Sequence, residues 1–199
     1  MGQQAVELNC PGCGARVNTG QKECDWCHKP IVISTFNSVY SMPMPEVNKY
    51  AGAYRNALGE NPDNDELNKS VAMCYLKLKL YDKALAAFEL AIEDDFDDSE
   101  TYFYAATCLL KGKKAFFAQR NDINKCIEYI NAANMIEPRG IYYYFLAYIK
   151  YDFFERKYLN TKPDFRECLE LANEIGASEN DIKMLFDILG VAKPSVFCS

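Results

Sequence analysis

The stretch Asp65 to Asp98 recurs along the chain. It reads DELNKSVAMCYLKLKLYDKALAAFELAIEDDFDD, two amphipathic segments joined by a tight connection at Leu80-Tyr81. Leu67, Val71, Cys74, Tyr75 and Leu78 fall at helical spacing in the first segment, and Ala84, Leu85, Phe88, Ala91 and Ile92 in the second. A displacement of 34 residues carries Ala72 onto Ala106, Tyr75 onto Leu109 and Asp65 onto Ser99. A further displacement of 42 carries Ala105 onto Ala147, Leu109 onto Tyr151 and Tyr102 onto Tyr144. The second segments follow in steps of 42, as Ala84, Cys126, Cys168 and as Phe88, Ile130, Ala172 and as Ala91, Ala133, Ile175. Neither helix of such a pair can bury its stripe alone, so the period predicts stacked helix pairs.

The pattern resembles the tetratricopeptide repeat, whose period is about 34 residues. Ala72, Tyr75, Ala84, Phe88, Ala91, Pro62 and Pro138 match its motif. The founding copy departs at Asn68, where the family favours tryptophan; Tyr102 and Tyr144 keep an aromatic at the later equivalents. The resemblance implies a right-handed helical solenoid whose first helices line a concave, partner-binding groove. Residues placed in that groove are Lys69, Met73 and Leu76, then Phe103, Thr107 and Leu110, then Tyr142, Phe145 and Ile149. One subgroup clamps a C-terminal carboxylate with groove Lys, Arg and Asn residues. Here only Lys69 is available, so that function is rejected. An apolar groove suits an amphipathic helix or an extended apolar segment of another protein. The chain's own linker or tail is the alternative occupant.

Repeats two and three each hold about eight extra residues, roughly two helical turns, between their helices. The insertions cover 111–121 and 153–163, and the added length predicts first helices that overshoot their partners. One carries Lys113, Lys114, Phe116, Phe117 and Arg120, the other Phe153, Phe154, Arg156, Lys157 and Tyr158. Lys113, Lys114, Phe117, Arg120, Arg156 and Lys157 form a candidate recognition ridge. The plainer alternative is that the aromatics pack the extensions together while the cations stay solvated.

Ahead of the repeats, Cys10-Pro-Gly-Cys13 and Cys24-Asp-Trp-Cys27 are two CxxC pairs separated by ten residues. Two close thiolate pairs can close a tetrahedral sulfur site, so Cys10, Cys13, Cys24 and Cys27 are the expected ligands of one structural Zn²⁺. The segment resembles a small β zinc ribbon, with a hairpin turning at Asn18-Thr19-Gly20 and a third strand at Ile31-Val32-Ile33. His28 stands where glycine commonly follows the last cysteine; four sulfurs already fill the site, so it is not expected to ligate. Trp26, the only tryptophan, is expected to pack over the metal core rather than project as an anchor.

The chain is therefore expected to be mainly α. A zinc ribbon spans 1–35 and an extended linker 36–45. A helical domain spans 46–190, with a lead helix, three helix pairs and a capping helix, and a short tail spans 191–199. Of nine cysteines, Cys74, Cys108, Cys126 and Cys168 lie on apolar stripes, and Cys198 is the one expected to be exposed. No secretory signal or span-length apolar run is present, so a reducing cytoplasm is expected. The acidic run Glu89, Glu93, Asp94, Asp95, Asp97, Asp98 and Glu100 lacks the spacing of a calcium loop and reads as a solvated helix end. With no phosphate-binding glycine loop, nucleophile elbow or histidine-based grouping, catalysis is not expected. The expected function is a protein–protein interaction adaptor or scaffold, with self-association as a further possibility. The alternatives are a nucleic-acid-associated ribbon, disfavoured by a net charge of -6, and a redox-responsive zinc switch.

Overall fold

The computed structural model describes residues 5–197. Contacts group the chain into two compact units that divide after Phe96.

The first unit begins with strands β1 (Glu7–Asn9) and β2 (Arg16–Asn18), antiparallel with Leu8 opposite Val17. The hairpin does not turn at Asn18-Thr19-Gly20. It turns at the first CxxC, where Cys10 N donates to Ala15 O at 2.7 Å and Gly14 adopts a φ of 82°. The Asn18 side chain instead accepts from Gly20 N at 3.0 Å, closing the end of β2. Ile31-Val32-Ile33 forms no strand; the second CxxC is closed by a single bridge between Glu23 and Pro30.

Helices α1 (Phe36–Tyr40), α2 (Met44–Leu58), α3 (Asp65–Lys77) and α4 (Tyr81–Asp94) follow. The region read as an extended linker thus holds a helix. Its Phe36 and Val39 are buried, and their apolar surface holds the short α1 against α3. Pro43 and Pro45 sit at the N-cap and in the first turn of α2, where a missing N–H costs nothing. Asn64 caps α3 by accepting from Leu67 N at 2.9 Å. Asn68 fills the place of the family's tryptophan: it is buried and donates to Pro62 O at 2.9 Å, anchoring the preceding loop.

The second unit holds the antiparallel pairs α5 (Ser99–Leu109) with α6 (Arg120–Ile136) and α7 (Gly140–Ile149) with α8 (Phe165–Ile175), then α9 (Glu179–Leu189). The two insertions behave differently. In repeat two the first helix does not overshoot. Lys111 and Gly112 take φ values of 49° and 70°, which end α5, and the chain returns through a 3-10 turn at Ala115–Phe117. In repeat three α7 does continue, through a π-helical turn at Lys150–Phe154 and a 3-10 turn at Glu155–Lys157, until Tyr158 stops it with a φ of 57°.

Gly140 opens α7 where a Cβ would overlap the backbone carbonyl of Gly176 at the end of α8. Both obstructing atoms are main chain, so Gly140→Ala forces the α7–α8 pair apart. The expected loss is about 1–3 kcal/mol of unit-two stability in urea denaturation.

Candidate metal centre and interaction surface

Two loops of the same construction build the cysteine site. In each, the second cysteine is followed by a left-handed residue, Gly14 (φ 82°) and His28 (φ 55°). Gly14 N donates to Cys10 O at 2.9 Å and His28 N to Cys24 O at 2.8 Å. Cys10 N and Cys24 N donate across the loops to Ala15 O and Lys29 O. His28 therefore supplies the backbone conformation that glycine usually provides. His28→Gly is expected to leave metal content unchanged and stability unharmed, since relief of left-handed strain is worth about 1 kcal/mol. Metal analysis of that variant checks it.

The four sulfurs lie within 4.8 Å of one another. Cys10 and Cys27 are 3.6 Å apart, and Cys13 and Cys24 3.7 Å. A tetrahedral site with metal–sulfur bonds of about 2.3 Å has edges of about 3.8 Å, so the cluster fits a metal ion. A Cβ at Gly12 would stand 2.9 Å from Lys29 Cδ and 3.0 Å from Cys27 Sγ, so a side chain there would displace the lysine stem and crowd one of the sulfurs. Backbone N–H groups of Cys27 and Trp26 lower the Cys24 thiol to about 7. At Cys27 a backbone N–H at Lys29 is outweighed by burial and the neighbouring sulfurs, which push the thiol up to about 12, so without a cation the four sulfurs do not all ionise together. Cys74, Cys126 and Cys168 are different. Burial pushes the Cys74 thiol up to about 12, the Cys168 thiol up to about 11 and the Cys126 thiol well above its usual range. Cys198 lies outside the described residues.

The ribbon is riveted to the helices behind it. Ile31 and Ile33 are fully buried, Tyr54 OH donates to Ile31 O at 2.8 Å, and Tyr50 OH donates to Pro30 O at 3.1 Å. Ile33 N donates to Ser70 Oγ at 3.0 Å, and Lys29 pairs with Glu46. Burial raises both tyrosine hydroxyls, Tyr54 well above its usual range, so both stay protonated donors. Trp26 does not cover the metal site. It projects from the second loop, 80% exposed.

In the second unit the two insertions meet. The π-helical turn places two charged side chains inward, Lys150 and Asp152, and each fixes a different segment. Asp152 Oδ2 accepts from Phe116 N at 2.8 Å, and Arg156 neutralises its other oxygen. Lys150 Nζ donates to Thr161 Oγ1 at 2.6 Å, and burial lowers its pKa. Lys157 lies 3.7 Å over the Phe153 ring, Arg120 4.8 Å over Phe154 and Arg156 4.6 Å over Phe116. The aromatics thus do pack the insertions together, as the plainer alternative held, with the cations laid on their faces. Phe117 remains 72% exposed and Tyr158 96%, projecting from the cluster. Phe116, Phe153 and Phe154, which carry it, are not among the six residues that the sequence offers as a ridge.

Residues 51–107 match the tetratricopeptide repeat family. These residues carry the tetratricopeptide repeat. A solved structure, MamA MSR-1 C2, shares the fold with a TM-score of 0.50 at 16% sequence identity, over 65% of this chain and 67% of that one. No curated protein matches in sequence.

The inner faces of the first helices are not open. Met73, Leu76, Phe103, Thr107, Leu110, Tyr142, Phe145 and Ile149 are all buried, and only Lys69 is half-exposed. Phe103 packs on Tyr142 and Phe145 at centroid distances of 4.8 and 5.8 Å. The chain supplies its own cover. In the first unit Ile33 and α1 lie along α3, through Ser70 and through Lys77, which donates to Tyr40 O. In the second, α9 crosses both α5 and α7, with Phe186 against Tyr144 and Tyr148. The tail docks as well: Phe197 is buried against Tyr144, Tyr151 and Phe165. A charge at Phe103 therefore acts on the core. Phe103→Glu is expected to cost more than about 3 kcal/mol in a denaturation curve rather than to change a binding surface alone.

Among the described residues no helix is long and apolar enough to cross a membrane.

Proposed function

We propose that the chain is a non-catalytic protein–protein interaction adaptor of the reducing cytoplasm. One structural zinc ion, held by Cys10, Cys13, Cys24 and Cys27, fastens its ribbon to the first repeat. An all-thiolate shell without an open position suits a staple rather than a reaction centre. The observation that carries the interaction reading is the ridge. Two insertions absent from the founding repeat are fixed by buried charges so that rings and cations project together. Burying Lys150 and Asp152 costs desolvation that packing alone would not require. With inner faces covered by α1 and α9, the ridge and Trp26 are exposed surfaces open to a partner.

Affinity purification with the full chain as bait tests this. A partner protein retained by the wild type is expected to be lost with Lys113→Glu combined with Lys114→Glu. An unchanged set of retained proteins would contradict the assignment of the ridge.

A further inference from the structure

The second unit has two ends of opposite charge. At one end lie the N-termini of α5 and α7 and the C-termini of α6 and α8, tied by Ser99 to Glu137 (3.3 Å) and Tyr142 (3.1 Å) and by Arg139 to Glu100 (2.7 Å). The segments 97–100, 137–139 and 174–181 gather here with seven carboxylates and one cation, Arg139. At the other end the insertions 111–120 and 150–162 hold eight cations, of which Lys150 is buried, Arg156 is paired with Asp152 and Lys162 with Glu167; Lys111, Lys113, Lys114, Arg120 and Lys157 still outnumber Glu155 and Asp164 there. Helix dipoles do not account for this separation, because both ends carry N- and C-termini in alternation and their partial charges offset. Each end also shows apolar surface: Phe117 and Tyr158 at the basic end, Met135 (87% exposed) and Ile175 at the acidic end. Along α5 alone the ends stand about 16 Å apart, so those of one molecule cannot satisfy each other.

From this juxtaposition we infer that the occupant of the ridge is a second copy of this chain, its acidic end docked on the basic, aromatic-tipped end of the first. The inference rests on the ridge being the interaction surface. The contact is heterologous, since different surfaces meet, so it propagates into chains or closes into rings rather than stopping at a two-fold dimer. The charges guide the approach and set the register, while Phe117 and Tyr158 meet the exposed side chains of Met135 and Ile175.

Sedimentation velocity on the full chain tests it across protein concentration. At about 0.05 M salt the average mass is expected to rise twofold or more, and to return to monomer near 1 M, where the screening length is about 3 Å. Lys113→Glu with Lys114→Glu, and separately Glu174→Lys with Glu179→Lys, should each remain monomeric with wild-type circular dichroism. Mixing the two variants should restore association, because each keeps the end that the other needs. A wild type that stays monomeric, or association indifferent to both reversals, would overturn the inference. So would a monomer whose basic end takes up a single-stranded oligonucleotide instead. A different protein lost from the bait by the basic-end variant, with no self-association, would overturn this inference while leaving the adaptor reading standing.

Discussion

Cys24→Ser is expected to abolish metal uptake and to unfold helices as well as the ribbon. Structural zinc contributes about 10–16 kcal/mol to small peptide sites, which matches or exceeds the whole stability of a typical domain, about 5–15 kcal/mol. Some thirty residues with two three-residue strands cannot replace that. The damage spreads because the ribbon's exit strand is core to the helices. Ile31 and Ile33 are buried, and losing their placement strands the hydroxyls of Tyr50 and Tyr54 and the Ser70 pair. Helical circular dichroism of wild-type protein should therefore fall on chelation and recover on zinc addition, while Cys24→Ser starts at the lower value. Helicity unaffected by chelation would show the metal to be dispensable to the first repeat.

Asp152→Ala is expected to cost about 1–3 kcal/mol, because it leaves Phe116 N without its acceptor, while Arg156, 38% exposed, can turn its charge to solvent. The carboxylate also accepts from Tyr148 OH at 3.4 Å, so one side chain joins α7, the π-helical turn and the preceding insertion. Urea denaturation gives the loss. Asp152→Asn keeps an acceptor for Phe116 N and should cost less. Equal losses for the two variants would mean that the hydrogen bond contributes nothing beyond charge. The ridge should also loosen in Asp152→Ala, so exchange of the 115–117 amides should rise above that of α5.

Features legible in the sequence share one physical basis: they are local or periodic. The helical stripes of α3 and α4, their recurrence in α5 to α8, and the CxxC pairs all follow from spacing within a few turns. Features that escaped depend on contacts distant in sequence. Nothing near Met73 announces that Ile33 and α1 will lie along α3, and Phe103, Tyr142 and Phe145 close on one another between α5 and α7, so residues expected to line a groove are core. The equal lengths of the two insertions suggested equal extensions. Left-handed Lys111 and Gly112 ended one helix, while the other absorbed its extra residues as a π-helical turn around Lys150 and Asp152. Trp26 was expected over the metal, but a site closed by backbone hydrogen bonds from both loops needs no such cover. The separation of charge in the second unit is invisible along the chain, because each end is assembled from segments tens of residues apart.

A ribbon and first repeat fastened together by one metal should behave as one cooperative structure. Hydrogen exchange read by mass spectrometry on zinc-loaded and metal-free protein tests that most directly. Amides of α2 and α3 are expected to lose protection together with those of β1 and β2 when the metal is removed, while α5 to α8 keep theirs. Loss confined to residues 5–30, with α2 and α3 protected as before, would contradict it.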